Sequence, residues 1–592
     1  MSVVAHIKQV TAQAITQLYG IEIAEQAILV NATKPEFEGD YTVVLFAFVK
    51  QLKKSPEVLG DELGKHLVAT HATIFQSYNV IKGFLNFSIS NNYWLQFLQK
   101  EYANTKFGLA AKTGKKVMVE YSSPNTNKPL HLGHLRNNFL GFSIAAILEA
   151  NGYDVIKTCI VNDRGIHICK SMIAWQLFAN GATPTSTGKK GDHFVGDYYV
   201  KFNDAYKLEV EQLKAQGLSQ EQAEKEAPIM KAAQQMLIDW EAGKPDVIEL
   251  WKQMNAWVYA GFNITYQQIG SDFHKTYYES ETYLLGKSLV EKGLSKGVFY
   301  QKEDCSVWID LTADGLDEKI VQRKDGTSVY ITQDIGLAEQ KQAEFQAEKS
   351  IYVVGDEQNY HFKVLKLICT KLGLPSADGI FHLSYGMVEL PTGKMKSREG
   401  TVVDADDLVA EMMAISQQKT EELGKVKDFN TDELQSLYHT IGLGALKFFL
   451  LRVDPKKKMI FNPEESIDFH GFTGPFIQYT YARIKSILRK NEIPLQDVES
   501  QTELMPLEKQ LALELELFAT ILQDAAAEND PSKLAIYIFN VAKTFNSFYA
   551  EHSIANAETA DKKIIRLQLS QLTAQVIGTG MRLLGINVPE RM

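Results

Sequence analysis

The spacing of hydrophobic residues divides the chain into three stretches. From about residue 111 to about residue 425, short apolar runs alternate with stretches of helical periodicity, a pattern typical of a parallel sheet whose strands are joined by helices. VMVEYSS predicts a strand, residues 132–152 predict an amphipathic helix that ends at Gly152, and YDVIKTCIV predicts the next strand. The pattern recurs in a strand at 351–354, a helix that ends near Gly373, and FHLSYGMVEL. In such a sheet, ligands bind at the carboxyl ends of the strands.

The two flanks have other patterns. Residues 1–110 combine an opening helix with mixed charged and apolar sequence and a short apolar segment at 83–89. Charged helical sequence at about 196–260 interrupts the sheet pattern and predicts a helical insertion. From 426 to 592, nearly every stretch has helical periodicity. We therefore predict a multidomain α/β protein with an N-terminal α+β domain (1–110), a Rossmann-type parallel-sheet domain (111–425) and a C-terminal all-helical domain (426–592).

Charge and cysteine content narrow the class of protein. The 592 residues carry a net charge of −10, which argues against indiscriminate nucleic-acid binding but leaves room for a partner that meets local basic segments. The four cysteines form no CxxC pair, so we expect no disulfide framework, no protein-bound structural metal and a reducing, cytoplasmic location. The first residues lack the apolar core of a signal peptide, and no apolar run is long enough to indicate a membrane span.

A predicted strand, a loop with two prolines and the start of a helix meet in EYSSPNTNKPLHLGHLR, residues 120–136. A helix N-terminus presents free N–H groups and a partial positive charge, and it therefore attracts phosphate. His131 and His134 can donate to the same phosphate, and Gly133 lets a nucleotide approach the backbone. Lys128 supplies a cation three residues upstream. Two histidines that only cap a helix would give the same tetrapeptide, HLGH at 131–134. Its place between a predicted strand and a long predicted helix nevertheless favours phosphate binding.

A second basic segment, GKMKSREG at 393–400, follows a predicted strand and precedes a predicted helix. Lys394, Lys396 and Arg398 lie in a loop bounded by glycines. Such a loop suits a clamp on a triphosphate, whereas in isolation it would be an exposed basic turn. Because this segment lies downstream of the helix that begins with the HLGH sequence, we favour the triphosphate interpretation.

These segments resemble the class I aminoacyl-tRNA synthetases. The first is similar to their HIGH motif, and the longer text EYSSPNTNKPLHLGHLRNN resembles the arginyl-tRNA synthetases. The resemblance continues in the family's order through GDYTVVLFAFVKQLKK, GFLNF, VNDRGIH, VYITQDIGLA, QYTYARIKSILRK and the terminal VPERM.

The basic loop resembles the KMSKS motif of these enzymes but departs from it at one position. Ser397 replaces the usual second lysine, while Lys396 lies one place earlier. This departure leaves open whether Lys396 or Lys128 stabilises the leaving pyrophosphate. We favour Lys128, because Pro124 and Pro129 restrict its loop and reduce the entropic cost of holding it in place.

The resemblance implies ATP-dependent activation of L-arginine to arginyl-adenylate and its transfer to tRNA(Arg), with ATP as a Mg²⁺ complex and with AMP and diphosphate as products. It also implies a monomer. The attacking carboxylate is already ionised, so the site needs to position substrates and stabilise phosphate charge rather than supply a general base. The residues that the resemblance assigns to ATP are His131, Gly133, His134, Lys394, Met395 and Ser397.

Binding of the substrate's guanidinium requires anionic partners, since a guanidinium forms paired hydrogen bonds with a carboxylate in a fixed, planar geometry. Tyr330 and Asp334 are four residues apart and share a face if their segment is helical, although a surface carboxylate would show the same spacing. The resemblance implies that these two residues hold the guanidinium. It assigns the rest of the amino acid to Glu120, Ser122, Asn125 and Gln358.

Rings and cations alternate near the start of the C-terminal helical region. Tyr479 and Tyr481 lie close to Arg483, a combination that suits unstacked RNA bases, although a helix with buried tyrosines would fit equally well. The resemblance implies an anticodon-binding domain here and adds Met592. It also places Phe84 and Asn86 in a region that meets tRNA, where a plain strand is the alternative.

Three other functions fit the sequence less well. A synthetase for another amino acid is disfavoured by the text around the first motif and by the lack of a large editing-type insertion. A small nucleotidyltransferase would need neither flanking domain. A non-catalytic RNA-binding relative is disfavoured because His131, His134 and Asp334 are all retained.

Overall fold

The structure, a computed structural model, describes residues 2–34, 36–389, 391, 403–424, 428–493, 498 and 502–592. Its strands are β1 (Leu29–Ala32), β2 (Tyr41–Val44), β3 (Phe75–Ile81), β4 (Phe84–Ile89), β5 (Lys116–Glu120), β6 (Asp154–Val161), β7 (Lys275–Tyr278), β8 (Tyr300–Gln301), β9 (Val307–Ile309), β10 (Lys319–Gln322), β11 (Lys349–Gly355), β12 (Ile380–Tyr385), β13 (Val388–Glu389) and β14 (Met459–Ile460).

Its helices are α1 (Val3–Tyr19), α2 (Val49–Leu52), α3 (Pro56–Thr70), α4 (Asn91–Glu101), α5 (Leu132–Ala150), α6 (Ile166–Phe178), α7 (Pro184–Thr187), α8 (Gly191–Ala215), α9 (Gln220–Glu226), α10 (Pro228–Glu241), α11 (Pro245–Ile269), α12 (Glu279–Thr282), α13 (Lys287–Ser295), α14 (Tyr330–Phe345), α15 (Asn359–Leu372), α16 (Ala405–Leu423), α17 (Thr431–Leu451), α18 (Pro463–Ser466), α19 (Gly474–Lys490), α20 (Pro506–Glu516), α21 (Phe518–Glu528), α22 (Pro531–Glu551) and α23 (Ala560–Leu583).

The N-terminal part is a four-stranded antiparallel sheet in the order β1-β2-β4-β3, with α1 and α3 packed against it. Helix α1 begins after Ser2, whose hydroxyl accepts a hydrogen bond from the N–H of Ala5, and it ends at Gly20 in the left-handed conformation. The opening helix and the α+β character that the sequence predicts are confirmed.

The central sheet has five parallel strands in the order β12-β11-β5-β6-β7. The chain adds β6 and β7 on one side of β5 and later adds β11 and β12 on the other. The direction of winding therefore reverses between β5 and β11, which opens a crevice at their carboxyl ends. The last predicted strand is divided at residues 386–387, because β13 leaves this sheet and pairs with β14.

The predicted helical insertion lies between β6 and β7. Helix α6 packs against α8 and α10, and α8 packs against α11. The charged helical sequence runs from Gly191 at the start of α8 to Ile269 at the end of α11. A small antiparallel sheet in the order β10-β9-β8 follows before α14.

Helix α5 is present as predicted, but the prediction that it is amphipathic is wrong. Of its 19 residues, 15 are buried. The reason is that α5 packs between β5, β6 and β11 on one side and α17, α21, α22 and α23 on the other. Gly141 makes the approach to the sheet possible, since a Cβ there would lie 2.3 Å from the ring of Tyr121. An α5 buried on both sides joins the sheet to the C-terminal helices.

The C-terminal part is mainly helical, as predicted, with the two-residue strand β14 as an exception, and the end of the chain folds back onto it. Gln478 of α19 donates to the carbonyl of Asn587 at 2.8 Å, and Lys485 pairs with Glu590 at 3.1 Å. None of the described helices combines the length and apolarity that crossing a membrane requires.

Lys447 of α17 is buried where α5 meets the end of the chain. Its ammonium donates to the carbonyl of Gly585 at 2.5 Å and lies 5.3 Å from the ring centre of Phe139. Burial lowers the pKa of Lys447 from 10.5 to about 7. The lysine thus connects α17 with α5 and with the C-terminal segment, while its burial disfavours the protonated form of its amine.

We predict that the stability of the protein rises between pH 7 and pH 9 in a way that depends on Lys447. In this range the unfolded chain binds a proton on Lys447 that the folded protein releases, so the free energy of unfolding rises by at most about 1.4 kcal/mol per pH unit. Thermal melting of the wild type and of Lys447→Met at pH 7, 8 and 9 measures this contribution. The wild type should gain stability relative to the variant as pH rises, and a constant difference would contradict the prediction.

Candidate active site

The crevice between β5 and β11 brings the first motif to the carboxyl edge of the sheet. The chain leaves β5 at Glu120, passes through the loop of residues 121–130 and enters α5 after His131. Ser122 and Ser123 in this loop have positive φ values of 82° and 45°, a conformation that costs energy in residues other than glycine. The sharp turn directs the N-terminus of α5 toward the crevice.

His131 and His134 cap the helix that they begin. Nδ1 of His131 accepts from the N–H of Gly133, and Nδ1 of His134 accepts from the N–H of His131, both at 3.2 Å. A neutral imidazole whose Nδ1 accepts carries its proton on Nε2. Burial, with Lys128 nearby, lowers the pKa of His131 to about 3, and burial with His131 and Lys128 nearby lowers that of His134 well below 6.5. Both rings are neutral Nε2–H donors at pH 7, so capping and anion binding are compatible roles.

Lys128 lies beside these rings. It lines a cavity of about 230 Å³ with His131 and Asp404, among other residues. Burial lowers the pKa of its ammonium. Within the described part of the chain the ammonium has neither a hydrogen bond nor an ion pair, so it remains available for an anion. Lys394, Met395, Lys396 and Ser397 lie outside the described residues.

The segment that follows the basic loop is attached to the first motif by backbone hydrogen bonds. The N–H of Leu132 donates to the carbonyl of Val403 at 3.1 Å, and the N–H of Ala405 donates to the carbonyl of Leu130 at 3.0 Å. Residues 403–405, more than 250 positions after the first motif in sequence, therefore lie beside the start of α5. No local sequence signal predicted these hydrogen bonds.

A cluster of charged residues reinforces this contact. His193 Nε2 lies 3.0 Å from Asp406, and this hydrogen bond raises the pKa of His193. Ligand atoms of Asp192, His193 and Asp406 lie within 4.8 Å of one another, a spacing that could suit a metal ion. The ammonium of Lys190, however, lies 3.0 Å from Asp192 and 2.6 Å from Asp406. A lysine thus takes the place of a metal cation, and the cluster joins α8 to α16.

Tyr330 and Asp334 lie in the first turns of α14, so their segment is helical and they share a face. Tyr330 is 73% exposed and lines a cavity of about 480 Å³ that also contains Glu279. Asp334 Oδ2 lies 2.6 Å from Nε2 of His361. Burial raises the pKa of Glu279 to about 7, with Arg164 opposing the shift and Asp334 adding to it. Two neighbouring carboxyls beside an exposed ring provide partners for a cation, although Arg164, Lys287 and Arg323 also line this cavity.

His361 and Glu279 were not among the predicted site residues. Neither stands in a recognisable motif, and both reach Asp334 only through tertiary packing of α15 and α12 near α14. Nothing in the spacing of these two residues along the sequence singles them out.

The four residues assigned to the rest of the amino acid have different surroundings. Glu120 is buried and pairs with Lys341 of α14. Ser122 is also buried, and its hydroxyl lies 2.6 Å from that of Tyr266. Asn125 and Gln358 are exposed at the carboxyl edge, after β5 and β11 respectively. The exposed pair is open to a ligand, whereas Glu120 and Ser122 have protein partners for their polar atoms.

The residues of the C-terminal part that are predicted to contact RNA lie in different places. Arg483 lies over the ring of Tyr479, 5.0 Å from its centre, and donates to the side chain of Asn546. Tyr481 packs on another side of α19, against Gly578 of α23. Met592 is partly buried and follows Arg591, which pairs with Glu433 at 2.8 Å. The two tyrosines therefore do not form one continuous surface.

In the N-terminal sheet, Phe84 and Asn86 are neighbours on β4 with different exposure. Phe84 is partly buried and packs edge-on against Phe46, with ring centres 5.4 Å apart. Asn86 is buried, accepts from the hydroxyl of Thr42 at 2.6 Å and donates to Asn79 at 2.8 Å. Asn86 thus holds β2, β4 and β3 together.

Three family descriptions match successive parts of the chain. Residues 5–89 match the arginyl tRNA synthetase N terminal domain, residues 97–462 match the class I (R) tRNA synthetase catalytic domain, and residues 477–592 match the DALR anticodon binding domain. The second match alone spans more than half of the chain.

Curated relatives and solved structures agree with these matches. The arginine–tRNA ligase of Flavobacterium psychrophilum is 53% identical and that of Bacteroides thetaiotaomicron 52%, with 98% and 97% of both chains covered. The arginyl-tRNA synthetase of Thermus thermophilus has the same fold, with a TM-score of 0.80, 24% identity and full coverage of both chains. The Plasmodium falciparum arginyl-tRNA synthetase has a TM-score of 0.79 at 18% identity, covering 100% of this chain and 99% of that one. The described fold, the crevice and these relatives together establish that the chain belongs to the arginyl-tRNA synthetase family of class I.

Proposed function

We propose that this protein activates L-arginine with ATP and transfers the arginyl group to tRNA(Arg), acting as a monomer in the cytoplasm. The observation that carries the proposal is the pair of subsites at one sheet edge. Neutral imidazole donors at the start of α5 suit the phosphates of ATP, and the neighbouring carboxyls of Asp334 and Glu279 at α14 suit a guanidinium. The high identity to curated arginine–tRNA ligases supports the same conclusion.

In this proposal, activation depends on position and charge. The arginine carboxylate attacks the α-phosphate of ATP, and pyrophosphate leaves. Nε2–H of His131 and of His134 donate toward phosphate oxygens at the helix N-terminus, where the helix dipole adds to their effect. The ammonium of Lys128 faces the same cavity. Mg²⁺ enters with ATP as part of the substrate complex.

Recognition of arginine follows from the surroundings of Asp334. His361 holds one oxygen of this carboxylate, which fixes the orientation of the other. Tyr330 is exposed one helical turn away, and Glu279 adds a second carboxyl. A neutral side chain of similar length would bring no positive charge to Asp334, which favours arginine over uncharged amino acids.

The tRNA would bind across the domains that flank the catalytic crevice. Tyr479 and Arg483 offer a ring and a cation on one face of α19, and Phe84 is accessible at the N-terminal sheet. The buried Asn86 would support that surface rather than contact RNA directly.

A charging assay tests the proposal. Purified protein is incubated with bulk bacterial tRNA, Mg²⁺ and ATP, and each of the twenty amino acids is supplied in turn. We expect acid-precipitable label only with arginine, and none when ATP is omitted or the tRNA is first digested with ribonuclease. Charging with another amino acid, or with none by a folded protein, would contradict the proposed activity.

Substitution of Asp334 should separate the two small substrates. We expect Asp334→Ala to raise the KM for arginine ten- to a hundredfold, since a charged hydrogen bond contributes about 1.5–3 kcal/mol. The KM for ATP should change less than about twofold, because the phosphate site lies on α5. Asp317→Ala is the matched control: it removes another carboxylate, 3.3 Å from the hydroxyl of Tyr360, and should leave both constants unchanged. Equal increases in both constants would remove Asp334 from the specificity site.

Because Ser397 replaces the usual second lysine of the KMSKS motif, substitutions can identify which of three lysines stabilises the leaving pyrophosphate. We expect Lys128→Met to lower the rate of single-turnover charging at saturating ATP by about 10²-fold, the loss typical of a group that stabilises charge in the transition state. Lys394→Met and Lys396→Met, measured in parallel, are the comparisons. If Lys128→Met reacts like the wild type while Lys396→Met loses activity, the compensating cation lies in the 393–400 loop.

A further inference from the structure

Arg136 lies in the second turn of α5 and is fully buried. Its Nη1 donates to the carbonyl of Gly386 at 2.6 Å, and its Nη2 donates to the carbonyls of Lys457 at 2.9 Å and Pro455 at 3.2 Å. Over the described ranges the guanidinium forms no ion pair, and its Nε has no hydrogen-bond partner. A buried cation without a carboxylate is costly compared with an apolar side chain. Such departures from good packing are expected at functional sites.

The three carbonyls belong to a joint between two short strands. Gly386 precedes β13, and the turn with Pro455 and Lys457 precedes β14. The N–H of Gly386 also donates to the carbonyl of Pro455 at 2.9 Å, and β13 pairs with β14 in parallel. We call this set the Arg136 joint: Arg136, Gly386, Pro455 and Lys457. It attaches β13 to α5.

The Arg136 joint is important because of where β13 lies in the chain. This strand ends at Glu389, so it is the last described element before the basic segment at 393–400. After that segment, the chain is attached to α5 again through the Leu132–Val403 hydrogen bond. The described chain on either side of the segment, at Gly386 and at Val403, is therefore attached to the beginning of α5, where His131 and His134 also lie.

We propose that Arg136 is a positioning residue for the ATP half of the reaction: it holds Gly386 and β13, the last described strand before the basic segment, in a set place relative to His131 and His134. Arg136 acts through the backbone of Gly386 and touches no substrate. The inference rests on the proposed function, in which those histidines and that segment bind ATP. The guanidinium subsite on α14 shares no hydrogen bond with the joint among the described residues, so loss of the joint should spare arginine binding.

Gly386 offers a second way to open the joint while Arg136 stays in place. A Cβ on Gly386 would lie 2.6 Å from the carbonyl carbon of Lys457 and 2.6 Å from the nitrogen of Lys458. These are backbone atoms, so Gly386→Ala has to separate β13 from the turn before β14. Arg136→Lys keeps the positive charge but cannot reach three carbonyls with a planar fork.

The test compares the two variants with the wild type in arginine charging at saturating tRNA. For both Arg136→Lys and Gly386→Ala we expect the KM for ATP to rise fivefold or more and kcat to fall about tenfold, with the KM for arginine within about twofold of wild type. Arg566→Lys is the matched control, since Arg566 is also buried but bonds to Glu508 and Ser553 in the C-terminal helices. It should lower the melting temperature and leave the KM for ATP unchanged.

Several outcomes would overturn the inference. It fails if the two KM values rise together, if both variants behave like the wild type, or if Arg566→Lys raises the KM for ATP as much as they do. If Arg136→Lys does not fold, Gly386→Ala decides the question by the same constants, and failure of both to fold would make the joint purely structural. A wild type that does not charge arginine would instead contradict the proposed function.

Discussion

Helix α5 is buried on nearly every side, and its polar residues therefore have to find partners inside the protein. Arg136 reaches three backbone carbonyls, and Asn137 donates to the carbonyl of Val353 at 2.7 Å and accepts from the N–H of Ser122 at 2.5 Å. An unsatisfied polar group at such positions would cost about 1–3 kcal/mol. These contacts fix the helix against β5, β11 and the segment before β13, so the helix N-terminus has one position relative to the crevice.

The same burial determines the chemistry of the two histidines. In water an imidazole would exchange between tautomers and gain a proton near neutral pH. Here each Nδ1 caps the helix, and burial beside Lys128 keeps both rings neutral. From the sequence alone, helix capping and phosphate binding are alternative explanations for the two histidines at 131 and 134. In the structure, capping sets the tautomer that makes each Nε2 a donor.

Several charged pairs hold other elements around this helix rather than serve a substrate. Glu120 and Lys341 join β5 to α14, and Lys190 joins α8 to Asp406 of α16. The proposed arginine subsite on α14 and the proposed phosphate subsite on α5 thus lie on separate elements, and the Glu120–Lys341 pair joins α14 to the strand that precedes α5. Because the subsites are separate, substitutions can affect one substrate and leave the other unchanged.

The sequence by itself determined the alternation of strands and helices in the central part, its parallel sheet, the mainly helical C-terminal part and the family, because these follow from hydrophobic periodicity and from motifs in continuous stretches of chain. It also placed Tyr330 and Asp334 on one helical face, since that depends only on local spacing. Tertiary structure alone decided that α5 is buried on both sides, that His361 and Glu279 flank Asp334, and that Asn86 is buried between strands. It also decided that the chain before and after the basic segment, at Gly386 and at Val403, is attached to α5. The physical reason is that hydrogen bonds and burial between residues far apart in sequence, such as Arg136 with Lys457, depend on how the elements pack and leave no periodic pattern in the sequence.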